Sequence, residues 1–226
     1  MTVKERFSQL QKKINDVCES CNRDPSSVQI VAVTKYVSME TTAEALDAGL
    51  LHIGENRTEG AVQKWNGLGD RGIWHFIGSL QSRKVKEITG KFEYLHSLDR
   101  LSLAKELDKR LEDGQVMKCF VQVNVSGEQS KSGLTPGEVI PFINDLADYP
   151  RIVIVGLMTM APFYDDPELT RPIFRKLREI RDSVQELELA HAPCKELSMG
   201  MSNDYHVAIE EGATFIRIGS ALVGKE

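Results

Sequence analysis

The chain has no apolar run approaching the roughly 18 residues needed to cross a bilayer, and its first stretch, Met1 to Ser20, is charged throughout. A secretory signal needs an apolar core, which that stretch lacks. Together these absences predict a cytoplasmic protein that does not associate with membranes. Cysteine is scarce, with four in 226 residues, which excludes a disulfide scaffold. Cys18 and Cys21 form a lone C-x-x-C, but a zinc site needs two further ligands. Cys119 and Cys194 are isolated, and the five histidines show no paired spacing. Val3, Phe7, Leu10, Ile14, Val17 and Cys21 recur every three or four residues. That period predicts an amphipathic helix with its cysteines on or beside the apolar stripe, packed as small hydrophobes. No strongly basic run is present, and the net charge is −5, so nucleic-acid binding, which feeds on phosphate attraction to Lys/Arg clusters, is not expected. The basic stretch 171–181 is interrupted by apolar positions and reads as a solvated helix face. There is no linker rich in Pro or Ser, no repeat and no G-x-G-x-x-G after the first strand. A second domain and a dinucleotide fold therefore lack support.

What is present is an alternation. Short β-branched or aromatic runs fall at 30–34, 52–54, 74–77, 94–96, 119–124, 152–158, 196–198 and 214–218. Between them lie helical patterns at 41–48, 58–65, 82–88, 101–111, 136–146, 168–187 and 205–211. Strand–helix repetition implies a parallel sheet, and eight strands suggest closure. The expected fold is therefore α/β, a single TIM-type (β/α)8 barrel over residues 1–226 with an extra N-terminal helix.

In such a barrel the active groups sit at the C-terminal ends of the strands. Polar residues do follow each apolar run: Thr34-Lys35, Glu55-Asn56-Arg57, Gly78-Ser79, Ser97, Asn124, Thr159, Ser198 and Arg217. Lys35 follows Ile30-Val31-Ala32-Val33 and shares a strand face with Val31 and Val33. If that face points inward, the lysine loses hydration at the barrel mouth, which favours the free amine that attacks an aldehyde; otherwise it bends out to solvent at the strand end. Near the far end, Leu197-Ser198-Met199-Gly200-Met201-Ser202 and Ile216-Arg217-Ile218-Gly219-Ser220 fall after the seventh and eighth strands, where these barrels often hold phosphate. Ser202 is placed as a helix N-cap, and Gly219 would let a backbone amide approach closely. The segment 124–133 fails the Walker spacing and reads either as an ordered active-site loop or lid, or as a plain solvated loop.

These segments together resemble the pyridoxal phosphate homeostasis protein family, which is similar to the barrel domain of alanine racemase. The matching stretches are Ala32-Val33-Thr34-Lys35, Ile53-Gly54-Glu55-Asn56-Arg57, Trp74-His75-Phe76-Ile77-Gly78, Leu80-Gln81-Ser82, Val121-Gln122-Val123-Asn124-Val125-Ser126-Gly127-Glu128, Ser130-Lys131-Ser132-Gly133, Gly156-Leu157-Met158-Thr159, Leu197 to Ser202 and Ile216 to Gly219. They run in family order over nearly the whole chain. Tyr36 and Ser79 depart from the residues frequent at those positions, Thr and Pro.

The resemblance implies pyridoxal 5′-phosphate (PLP) held as a Schiff base on Lys35. It implies phosphate contacts from Ser202, Gly219 and Ser220, with Ser198 as a further candidate. Asn56 would line the pocket and Arg217 would face the pyridine nitrogen. A cationic arginine there leaves the nitrogen unprotonated and the carbanion poorly stabilised, which argues against transamination and decarboxylation. Racemisation needs a second acid–base group opposite Lys35, and in the racemases it comes from a C-terminal β domain. This chain ends at Glu226, shortly after the eighth strand, so that domain is not expected. The leading expectation is a protein without robust catalysis that stores, buffers or delivers PLP, passing it transiently to PLP-dependent apoenzymes and working as a monomer. The alternatives are an amino-acid racemase using Lys35 as one base, and a scaffold that binds partners and takes PLP as a signal.

Overall fold

The computed structural model describes residues 1–69, 71–128 and 131–224. Eight strands close into one barrel in sequence order: β1 (Gln29–Val33), β2 (His52–Glu55), β3 (Ile73–Phe76), β4 (Tyr94–Leu98), β5 (Met117–Gln122), β6 (Ile152–Met158), β7 (Glu196–Ser198) and β8 (Phe215–Ile218). Every pairing is parallel, and β1 with β8 completes the ring through Gln29 opposite Phe215 and Val31 opposite Arg217. Parallel neighbours need a crossover, and the chain supplies one helix after each strand. They are α2 (Met39–Asp47), α3 (Thr58–Leu68), α4 (Val85–Ile88), α5 (Leu101–Arg110), α6 (Val139–Asp145), α7 (Arg171–Gln185), α8 (Tyr205–Glu210) and α9 (Ser220–Val223). The expected (β/α)8 architecture is thus the observed one.

The extra helix, α1 (Val3–Ser20), precedes the barrel. A capping box starts it: the Glu5 amide donates to Thr2 Oγ1 at 3.2 Å and the Thr2 amide to Glu5 Oε2 at 2.8 Å. Its buried stripe of Val3, Leu10, Ile14 and Cys18 lies against α2, α8 and α9. Cys18, Cys119 and Cys194 are buried free thiols, whereas Cys21 is half-buried at the end of α1. Burial pushes the Cys194 thiol up to about 12.

Most apolar residues fill the layer between sheet and helices, while Val31, Phe120, Met158 and Phe215 form a separate cluster. Tyr94 packs against that inner cluster, with its ring stacked on His75 at 4.3 Å. An aliphatic filling is usual inside these barrels; here aromatic and imidazole rings share the space. The basic stretch of α7 is not simply solvated. Arg171, Arg175 and Arg178 all reach the buried carboxylate of Glu211 at 3.2, 3.0 and 3.0 Å, fastening α7 to the end of α8.

Candidate functional site

The C-terminal ends of the strands surround a cavity of about 910 Å³. Lys35, Asn56, Ser202, Arg217, Gly219 and Ser220 all line it. These residues come from the loops after β1, β2, β7 and β8 and from β8 itself, so closure of the barrel alone brings them together.

Lys35 is presented by a tied turn. Thr34 ends the run of β1, and its Oγ1 donates to Glu55 Oε1 at 2.6 Å. Lys64, on α3, donates from Nζ to the same carboxylate oxygen at 2.7 Å and to the Thr34 carbonyl at 2.5 Å. The Val37 amide also donates to that carbonyl, at 3.1 Å. The chain therefore turns immediately before Lys35, and the strand alternation that aligns Val31 with Val33 stops there. The sequence leaves two readings, a dehydrated lysine over the core or one that bends out to solvent at the strand end. The second is observed: the Lys35 side chain is exposed on the cavity wall, with its ammonium 4.8 Å from the ring centre of Tyr36.

Asn56 is half-buried on the wall. Gly78, on the next loop, crosses so close to the Asn56 backbone that a Cβ at 78 would collide with its Cα and carbonyl. Gly200 adopts φ +89° and packs on Ala208 and Tyr205, so the tight loop after β7 requires glycine there. At Gly219 a Cβ would meet nothing closer than Val33, at 3.8 Å. Among the described residues no atom crowds this position, which leaves room on the cavity side.

Ser202 lines the cavity but is not the helix cap. α8 begins at Tyr205 with Asp204 at the cap position, and the Asp204 carboxylate accepts the Met201 amide at 2.6 Å. The cap therefore falls two residues later than the sequence suggests, leaving Ser202 exposed on the turn. Ser198, named with them from the sequence, does not line the cavity; it is fully buried beneath Arg217. Its Oγ accepts a hydrogen bond from Arg217 Nη1 at 2.6 Å and lies 2.8 Å from His96 Nδ1.

Arg217 is 5% exposed and forms part of the cavity floor. It donates from Nη2 to the Thr159 carbonyl at 2.9 Å. Burial pulls its pKa down to about 10, against the pull of Asp204, so it stays cationic at neutral pH.

Residues not singled out as cofactor contacts also contribute. Gln122, Lys131, Ser132 and Met160 also line the cavity. In the loop after β5, the Asn124 side chain accepts the Gly127 amide at 3.1 Å and donates to the carbonyls of Glu128 and Lys131. Lys131 Nζ reaches the Met160 carbonyl at 3.3 Å. The ordered-loop reading of 124–133 fits this better than a plain solvated loop, although Gln129 and Ser130 lie outside the described residues. Below the floor, His52 Nδ1 lies 2.8 Å from His75 Nε2, and His75 Nδ1 lies 2.8 Å from His96 Nε2. Each ring of this file comes from a different strand, so the three histidines show no short spacing along the chain. The available signal was one histidine inside each of three successive predicted strands.

The barrel and its mouth have known counterparts. Residues 7–226 match the family described as alanine racemase, N-terminal domain. A pyridoxal phosphate homeostasis protein of Aquifex aeolicus is 40% identical over 100% of this chain and 99% of its own. The structure of PipY from Synechococcus elongatus with PLP bound superposes with a TM-score of 0.85 at 33% identity, covering 99% of this chain and 100% of that one. An alanine racemase of Clostridium difficile shares the fold at 15% identity and a TM-score of 0.71, over 94% of this chain and 56% of the racemase. The chain belongs to the pyridoxal phosphate homeostasis family, within the wider group built on the alanine racemase N-terminal barrel.

Proposed function

We propose that this chain binds PLP at the barrel mouth through Lys35 and serves intracellular PLP homeostasis by storing, buffering or delivering the cofactor. The observation that carries this reading is the convergence of one exposed primary amine, one buried cation and a small-residue cradle on a single cavity. A relative solved with PLP bound supports it. The residues fit the group. Ser202, Gly219 and Ser220 stand after β7 and β8, and the open side of Gly219 leaves space for phosphate oxygens. Asn56 supplies an amide on the wall.

PLP, when bound, supplies an aldehyde that condenses with a primary amine. Lys35 offers that amine at a turn clamped by Thr34, Glu55 and Lys64. Arg217 holds a permanent positive charge at the floor. A guanidinium facing a ring nitrogen can donate a hydrogen bond to it but is too weak an acid to protonate it, and it disfavours a second cation beside it. This suppresses electron withdrawal into the ring and, with it, chemistry at a bound amino acid. Racemisation further needs a proton carrier opposite Lys35. Among the described residues lining the cavity the tyrosine is Tyr36, next to Lys35 on the same turn.

The protein works as a cytoplasmic monomer that meets PLP-dependent apoenzymes transiently, without nucleic acid or membrane. No helix among the described residues is long and apolar enough to cross a bilayer. The test is transfer. Loaded protein mixed with an apoenzyme should restore that enzyme's activity faster than an equal concentration of free PLP. Equal rates would remove delivery and leave storage or buffering. Interconversion of L- and D-alanine above the free-PLP background, lost in Lys35→Ala, would replace this reading with racemisation.

A further inference from the structure

A continuous line of polar groups runs through the barrel, from its N-terminal end to the cavity floor. His52 is the first residue of β2, at the N-terminal end. His75 and His96 sit inside β3 and β4, and Ser198 ends β7. Arg217, on β8, receives the line at the top. Each link is 2.6 to 2.8 Å long. His75 and His96 are fully buried, and His52 is 9% exposed. Rings also pack the file from the side: Tyr94 stacks on His75 and Phe120 on His96, each at 4.3 Å.

The protons can be assigned from the hydrogen bonding. Ser198 Oγ already accepts from Arg217 Nη1. Among the described contacts, His96 Nδ1 is the acceptor open to the Ser198 hydroxyl proton. With the serine donating, His96 carries its proton on Nε2 and donates to His75 Nδ1. His75 then donates from Nε2 to His52 Nδ1, and His52 keeps Nε2–H toward the barrel's lower end. In the reverse direction Ser198 would accept twice, leaving its own proton buried without a partner, which is costly. Only the first arrangement satisfies every group, and it turns the acceptor end of the file toward the guanidinium.

The charges around the file agree with three neutral rings. Burial pushes His75 and His96 well below the usual histidine range. His52 is lowered to about 4, first by burial and then by Lys118. Among the described residues, the charged and titratable groups facing the file are Lys118 on β5, Tyr94 on β4 and Arg217 on β8, and Asp204 before α8 acts on Arg217. Lys118 lies with its ammonium 5.0 Å from the ring centre of Tyr94. A proton added to the file would be repelled by Lys118 at one end and by Arg217 at the other.

We propose that His52, His75, His96 and Ser198 form a tautomer-locked positioning file that fixes the Arg217 guanidinium beneath the cavity and thereby sets the charge felt by a ring bound above it. The histidines touch neither ligand nor reacting atom; they act through Ser198 and Arg217. The second half of the proposal rests on the reading of the cavity as a PLP site. The first half does not.

Two measurements test it. Nitrogen-15 spectra of the imidazoles in the full chain without PLP should show all three rings neutral with Nε2–H, and unchanged between about pH 5.5 and 8. An Nδ1–H tautomer, or titration in that range, at any of the three overturns the assignment and the proposal with it. The second measurement uses PLP-loaded protein. His96→Phe keeps a ring against Phe120 but strands Ser198. It should shift the apparent pKa of the bound cofactor's visible band by about one unit and weaken PLP binding about tenfold. Ser198→Ala, a smaller change, should move both in the same direction, and serves if His96→Phe does not fold. His191→Gln, which loses a bond to the Ile143 carbonyl away from the file, should move neither. Folded variants with an unchanged band and affinity overturn the positioning role. If the unsubstituted chain takes up no PLP, the cavity reading fails, and the nitrogen-15 spectra alone decide the file.

Discussion

At the residue scale, the account turns on how one lysine is offered. Lys35 has little structure of its own; its position is inherited from Thr34, which is tied to β2 and α3 by the Glu55–Lys64 pair. Both side chains of that pair are nearly buried, at 3% and 10% exposure. Removing one partner of such a pair strands the other charge. Lys64→Met should therefore cost about 3–5 kcal/mol in urea unfolding and loosen the turn before Lys35. A loss below about 1 kcal/mol would mean that the pair does not hold the turn. The residues on the cavity were largely legible in the sequence because polar residues at strand ends have one place to go once the barrel closes. Two details were not. Ser202 looked like a cap, yet Asp204 two residues on takes the Met201 amide. Strand alternation left Lys35 either dehydrated over the core or bent out to solvent, and the Thr34 carbonyl, bonded twice, decides it by ending the alternation one residue early. Both depend on side-chain bonds between segments distant in sequence or on competition within a turn, and neither leaves a periodic signal.

At the element scale, all eight strand runs correspond to observed strands. Their edges shift by one or two residues: the fifth run, read as 119–124, is observed as Met117–Gln122. Val123 then makes only an isolated bridge to Leu134. The helix read over 168–187 divides into a short 3₁₀ turn, Pro167–Thr170, and α7. The histidine file went unseen because it crosses elements. It also has a stability signature. His52 has its folded pKa depressed to about 4, so between about pH 6.5 and 4 the unfolded chain binds more protons there than the native one. Stability is fully present above the unfolded value and is lost as pH falls toward the folded one. For His52 alone the loss is about 3 kcal/mol by pH 4, and His75 and His96, also depressed, act in the same direction. Thermal midpoints should fall steadily from pH 7 to pH 4, and His52→Phe should flatten the upper part of that decline. A flat profile in the unsubstituted protein would mean that the rings are not buried neutral.

At the scale of the whole molecule, the barrel explains why residues from opposite ends of the sequence share one cavity. Lys35 and Arg217 come to line one cavity because β1 pairs with β8, with Val31 set against Arg217. This closure was readable from eight alternating units and the missing dinucleotide motif. The aromatic and imidazole filling of the barrel was not, since inward and outward positions of a doubly buried strand are equally apolar on average. The helix α1 packs on α2, α8 and α9, against the elements that carry the loops of the cavity's cradle.

The central claim is that Lys35 is the amine that holds PLP. Borohydride reduction of the freshly purified chain, with peptide mass mapping, tests it most directly. The account predicts a pyridoxyl adduct on the peptide containing Lys35, with none on that peptide in Lys35→Ala. An adduct confined to another lysine, or none after incubation with added PLP, would contradict it.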